Sequence, residues 1–323
     1  MQDASLSLSD PAASLPRRVV VTGGDHGYAH LIDELLASIR LFRSEAELGI
    51  AILDGGLTDE DRTRFRSLYG ARILETTWEY KLAAWKVRGR EHLKIQLSRA
   101  FLDRYLPEAD LIAWIDADAW VQDIAGVDLL FEVADSGRLA IVCEASRHAE
   151  HVIRVRWRAF GLAEIRSILY KNARKACVPE RQARQIGLKP TLNSGVFALR
   201  RDSPLWEGWR QRQAYVLKRG ARIFSSDQLS LALAVYLDGA DFELLPDSCN
   251  YLGPWKVARD GSALVEAYAP NTPISIVHLA GQKTQRATQL EAIHLPQVGG
   301  GEVETTLRFP SWRDKIAARL TRR

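Results

Sequence analysis

The chain has 323 residues, of which 46% are hydrophobic and 26% charged, with a formal net charge of +4. That composition excludes a disordered or collagen-like chain, and so small a net charge does not argue for a nucleic-acid partner. The length suits one large α/β domain with tails, able to bury about three quarters of its unfolded surface. Three cysteines, Cys143, Cys177 and Cys249, show no CxxC spacing. Their odd count suits a reducing compartment, so a cytoplasmic protein is expected. Residues 1–16 (MQDASLSLSDPAASLP) lack the apolar run of a signal peptide and read as a disordered leader. No stretch approaches the roughly 20 apolar residues of a transmembrane helix.

In chain order, Val19-Val20-Val21 reads as a buried strand, ending in Thr22-Gly23-Gly24-Asp25-His26-Gly27-Tyr28. Leu31, Leu35, Ile39 and Phe42 then fall at helical spacing. Leu48 to Leu53 is a second strand, Thr58 with Asp61 three residues on caps a second helix, and Ala71 to Leu74 is a third strand. This β-α-β-α-β alternation predicts an open α/β fold with a parallel sheet. A helix is expected over 90–107, a strand over Leu111–Ile115, a helix over about 126–136, and a strand over Leu139–Cys143. Residues 146–189 read as helical or irregular. Val196–Leu199, Phe242–Leu245 and Ile274–Val277 read as strands, and helices begin near Ser203-Pro204 and Ser226.

The central motif is Asp116-Ala117-Asp118-Ala119-Trp120, just past the C-terminal end of an apolar strand. Ligands of open α/β sheets bind at that edge. Two carboxylates one residue apart can face one hard cation, and Mg²⁺ or Mn²⁺ prefers oxygen ligands. Such a cation offsets the charge that builds on a departing diphosphate. The competing reading of the pair alone is a solvated acidic turn.

Further motifs follow in a telling order: VTGGDHGYAHLIDELLASI, Arg99 seventeen residues before Asp116, DADAW, LNSGVFAL, SSDQLSLA, Asn250-Tyr251 and IVHLAG. In that order they resemble the family 8 retaining glycosyltransferases, over roughly residues 17–285. The resemblance implies a GT-A type fold: a single Rossmann-like domain with a mostly parallel mixed central sheet flanked by helices. It implies a nucleotide-sugar donor, with a UDP-sugar expected, and Mn²⁺ or Mg²⁺ held by Asp116, Asp118 and His278. Thr22, Gly23, Asp25, Tyr28, Arg99, Ala117 and Gly281 are the implied donor contacts, Tyr28 by stacking on the base. The family places a Lys three residues after the Gly and follows it with Pro-Trp. This chain has Gly281-Gln282-Lys283-Thr284, so either Lys283 or Arg286 is expected on the phosphate. Asn193, Asp227 and Gln228 are the implied sugar-side, catalytic residues. Gln228 would support an oxocarbenium-like charge, and Asp227 would orient sugar hydroxyls or cap its helix.

Two segments bear on the acceptor. Residues 147–189 hold eleven Lys and Arg against three Glu, an excess of +8. This basic, acceptor-side insertion (146–190) suggests an anionic acceptor, a phosphorylated glycan or lipid head group. The competing reading is a solvated basic helix pair. The tail LRFPSWRDKIAARLTRR sets Phe309, Trp312, Ile316 and Leu320 on one helical stripe among basic residues. That pattern suits a helix lying on an anionic membrane, peripheral at the inner face, or a helix docked on the domain. The expected organisation is a leader (1–16), a GT-A domain (17–290) and a basic amphipathic tail (291–323). The expected activity is metal-dependent hexose transfer to a glycan or lipid-linked acceptor, with retention. The alternatives are a sugar-1-phosphate nucleotidyltransferase, whose Gly-rich loop GGDHGY does not match, and an inactive nucleotide-sugar or glycan-binding homologue.

Overall fold

A computed structural model describes residues 16–144, 153–287 and 291–321. The expected leader therefore falls outside the described residues, apart from Pro16. The strands in chain order are β1 (Arg18–Gly24), β2 (Gly49–Asp54), β3 (Arg72–Glu75), β4 (Leu111–Ile115), β5 (Ala119–Val121) and β6 (Leu139–Cys143). Then come β7 (Ile153–Trp157), β8 (Ala163–Ser167), β9 (Leu192–Arg200), β10 (Phe242–Leu244), β11 (Trp255–Val257), β12 (Leu264–Glu266), β13 (Ile276–His278), β14 (Ile293–Pro296) and β15 (Glu302–Thr305).

Among the described residues, seven strands form the central sheet in the order β10-β6-β9-β4-β1-β2-β3. All neighbours run parallel except β9, which is antiparallel to both β4 and β6. The apolar runs RVVV, GIAIL, LIAWI and LAIV are continuous because helices cover both faces of the sheet. Alternation then divides each strand. Val20 packs with Leu35, Phe65 and Phe131 on one face, while Val19 and Val21 pack with Phe101, Trp206 and Trp209 on the other. The mostly parallel mixed sheet expected from the sequence is the one observed. The capping box at Thr58 is present too: Asp61 N donates to Thr58 Oγ1 at 3.1 Å, and Thr58 N to Asp61 Oδ2 at 3.0 Å.

Three segments differ from the sequence reading. The single helix expected over 90–107 is broken into Leu93–Ser98, a 3-10 turn at Arg99–Phe101 and Leu102–Tyr105. The basic insertion is not wholly helical: β7 and β8 form an antiparallel hairpin, followed by helices Ile168–Lys175 and Glu180–Ile186. Residues 145–152, with Arg147, lie outside the described residues.

The tail requires a correction. Phe309, Trp312 and Ile316 are buried in a cluster with Trp120, Tyr251 and Leu307, and Trp120 Nε1 donates to Leu307 O at 2.8 Å. The apolar stripe is therefore part of the core and cannot enter a lipid surface. Nor is Arg308 on a basic outer face. It is fully buried, with Nε donating to Glu34 Oε2 at 2.9 Å and Nη2 to Glu34 Oε1 at 2.6 Å. Removing one partner of a buried pair strands the other charge, at a cost of about 3–5 kcal/mol. Arg308→Met should thus lower unfolding free energy by that amount in a urea titration, and an unchanged midpoint would contradict the pairing's role.

Candidate active site

A cleft of about 530 Å³ opens at the C-terminal edge of β1 and β4. The antiparallel β9 presents its N-terminal end to the same edge, which brings Asn193, Ser194 and Gly195 beside Asp116. Asp116 N donates to Gly195 O at 2.8 Å. Immediately after the acidic pair, β5 forms a short antiparallel ribbon with β13, and the register sets His278 opposite Ala119. That ribbon is why two segments 160 residues apart meet: His278 Nε2 lies 3.2 Å from Asp118 Oδ1 and 3.8 Å from Asp116 Oδ2.

One ligand atom each from Asp116, Asp118 and His278 lie within 4.8 Å of one another. Gly195 faces this group. A Cβ built there would come within 2.7 Å of Asp116 Oδ2, 2.7 Å of His278 Cε1 and 2.9 Å of Asn193 Oδ1. The only side chain small enough for that position is none at all. His278 is oriented from behind, because its Nδ1 lies 2.7 Å from Asn250 Oδ1. An amide oxygen can only accept, so this contact puts a proton on Nδ1 and leaves Nε2 for the carboxylates. Two carboxylates, one oriented imidazole and an open space kept by a glycine fit a divalent cation of the Mn²⁺ or Mg²⁺ kind.

The charges around the group are balanced. Burial pushes the Asp118 carboxyl up, but His278 and Arg286 outweigh it and hold it down at about 2. Burial also pushes Asp116 up, against the pull of Arg99 and His278. The His278 imidazole is opposed in its charged form by burial, yet Asp118 and Asp116 raise it overall. Arg286 Nη1 reaches Asp118 Oδ2 at 3.1 Å and Tyr28 OH at 3.4 Å.

Arg99 is a strut across the cleft floor. Its Nη2 donates to Asp116 Oδ1, its Nη1 donates to Asp227 Oδ2 at 2.9 Å, and its guanidinium lies 4.5 Å above the Trp114 ring. Asp227 also accepts from Ser194 Oγ at 3.2 Å. Burial raises its carboxyl, with Arg99 pulling the other way. The sugar-side candidates Asn193, Asp227 and Gln228 all line the cleft, as do Gly23, Asp25, Tyr28, Arg99, Ala117 and Gly281. Asp25 Oδ1 is buried without a partner, an acceptor left open at the cleft wall. Gly281 has φ +83°, a conformation that glycine adopts without strain.

Two candidates are not brought to the cleft. Thr22 is fully buried within β1, and Lys283 is exposed outside the lining, whereas Arg286, one helical turn on, lines it. Sequence reasoning also missed Glu144. It stands at the end of β6 and accepts from Asn193 Nδ2 at 2.8 Å, while burial raises its carboxyl. Its signal was positional: an acid directly after a buried strand of the same sheet, as with Asp116.

No family model and no curated protein matches the chain. Solved structures do. The apo structure of WbbM, a bifunctional glycosyltransferase, superposes with a TM-score of 0.52 at 15% identity, over 85% of this chain and 47% of that one. The glycosyltransferase GlyE from Streptococcus pneumoniae TIGR4 gives a TM-score of 0.51 at 15% identity, over 95% of this chain and 63% of that one. The chain thus spans less than two thirds of either structure. These likenesses establish the fold, which is the GT-A type of glycosyltransferases expected from the sequence.

Proposed function

We propose that the chain is a metal-dependent glycosyltransferase that moves a hexose from a nucleotide-diphosphate sugar, a UDP-sugar, to a glycan or lipid-linked acceptor with retention. The observation that carries this reading is the Asp116, Asp118 and His278 group, held open by Gly195 in a cleft of this fold. These three residues would hold Mn²⁺ or Mg²⁺, which when bound supplies Lewis-acid stabilisation to a diphosphate leaving group.

The remaining steps fall to the chain's own side chains. Tyr28 is 40% exposed, enough to stack a nucleobase, and Asp25 Oδ1 offers an acceptor to a base N–H. Arg286, beside Tyr28 and Asp118, takes the phosphate in preference to Lys283. Its planar guanidinium suits two phosphate oxygens at once. Asp227 is pinned by Arg99 and Ser194 in the cleft lining, from which it orients sugar hydroxyls. Gln228 directs an amide dipole at charge developing on the anomeric carbon, and as a poor nucleophile it favours transfer on the donor's own face. Glu144 and Asn193 complete the wall on the acceptor side.

The test is nucleotide diphosphate release from a panel of nucleotide sugars. Release should occur with one donor class, need Mn²⁺ or Mg²⁺, and stop with chelator. Release from no donor, or release unaffected by chelator, contradicts the proposal. The histidine's support has its own signature. Asn250→Ala should weaken Mn²⁺ binding about 10–100-fold, as loss of a partner behind a ligand commonly does. Equal affinity in a Mn²⁺ titration would show that His278 needs no such orientation.

A further inference from the structure

The β7–β8 hairpin carries apolar side chains into solvent. Val155 is 55% exposed, Trp157 72% and Leu162 67%, and Phe160 at the tip is fully exposed. One exposed apolar side chain is ordinary. Four within eight residues of one hairpin make a patch of the kind that marks an interaction site. Phe160 has φ +64° and Gly161 φ +70°. Gly or Asn suits such a left-handed turn, and a bulky aromatic residue is strained there. Neither turn geometry nor packing calls for a phenylalanine at this tip.

The charge around the patch narrows its occupant. Arg156 and Arg158 flank Trp157 in sequence and are exposed, within the segment of +8 excess; strand alternation sets Arg156 on the hairpin's other face, across from Glu164. A second copy of the chain would bring the same arginine-rich segment against this one. A nucleic acid could stack on Trp157 and Phe160 but has no use for Val155 and Leu162. An anionic bilayer met by the hairpin's tip reaches both faces: head groups attract the arginines, and the aromatic and aliphatic side chains near Phe160 enter the interfacial layer.

The hairpin is rooted in the wall of the cleft. Ser167 Oγ accepts from Tyr170 N at 2.9 Å and caps the helix Ile168–Lys175. Leu169 and Ala173 of that helix are buried with Leu229 and Leu233 of the helix Ser226–Asp238, whose first turn holds Asp227 and Gln228. A hairpin resting on a surface therefore holds the cleft at a set distance from it.

We propose that the β7–β8 hairpin docks the protein on anionic membrane surfaces, with Trp157, Phe160 and Leu162 entering the interface and Arg156 and Arg158 meeting the head groups. This goes beyond the transfer reaction and uses none of the cleft residues.

The experiment is sedimentation of the full chain with vesicles. Mixed phosphatidylglycerol–phosphatidylcholine vesicles should carry the protein into the pellet, and pure phosphatidylcholine vesicles should capture at least about tenfold less. The triple variant Trp157→Ser, Phe160→Ser, Leu162→Ser should lose about tenfold in partition, as should Arg156→Gln with Arg158→Gln. All five positions are exposed, so both variants should stay folded, as circular dichroism checks, and keep wild-type nucleotide diphosphate release. A triple variant that pellets like wild type overturns the proposal. So does a wild type that ignores both vesicles. A wild type that instead self-associates in light scattering, with the triple variant monomeric, also overturns it and makes the patch a contact between copies.

Discussion

Asp118→Asn is expected to lower nucleotide diphosphate release on the order of 10³-fold while leaving the fold intact. The side chain is the best-ionised member of the group, held down at about 2 by His278 and Arg286. The amide keeps the shape but removes the charge that a divalent cation needs. It also leaves Arg286 without its anionic partner. A metal's charge stabilisation is worth several kcal/mol, and each 1.36 kcal/mol is a factor of ten in rate. Steady-state assays with Mn²⁺ varied, alongside melting curves, check both halves. Activity within tenfold of wild type would remove Asp118 from the metal's ligands.

Gly195→Ala should be nearly as damaging, from a single methyl group. The position does not have the positive φ that would require glycine, so the reason for glycine is space. The backbone cannot step aside easily. Gly195 N donates to Asn193 Oδ1 at 2.8 Å, and its carbonyl accepts from Asp116 N at 2.8 Å. The new Cβ would therefore displace Asp116, His278 or Asn193, each nearer than 3.0 Å. A misplacement of about 1 Å in such a site can cost about 10²-fold in rate. A fall of that size, with weaker Mn²⁺ binding and an unaltered circular dichroism spectrum, is the expected result. Wild-type metal affinity would show that the glycine serves only the packing of β9.

The legibility of this fold and site varied with how local each signal was. The sheet could be read because its strands are buried on both faces and appear as unbroken apolar runs. Asp116 and Asp118 could be read from their place past one such run. His278 entered only through resemblance, because the β5–β13 ribbon that carries it to Asp118 is a long-range pairing of three-residue strands. Arg99 was expected at the donor. It lines the cleft with its two terminal nitrogens engaged by Asp116 and Asp227, an arrangement no spacing reveals. The hairpin was partly legible: Ile153-Arg154-Val155-Arg156-Trp157 alternates with period two, a strand pattern masked by the density of arginine. The tail's stripe was correctly periodic. What the stripe faces depended on Trp120 and Tyr251, both distant in sequence.

The proposed transfer depends on Asp116, Asp118 and His278 holding one cation against a diphosphate. A crystal grown with UDP and Mn²⁺ and measured at the manganese absorption edge tests this directly. One anomalous peak is expected among the two carboxylates and His278 Nε2, with the diphosphate beside it and Arg286 turned from Asp118 to the phosphate. Diphosphate bound in the cleft with no anomalous peak at that position, or a peak on other side chains, would contradict it.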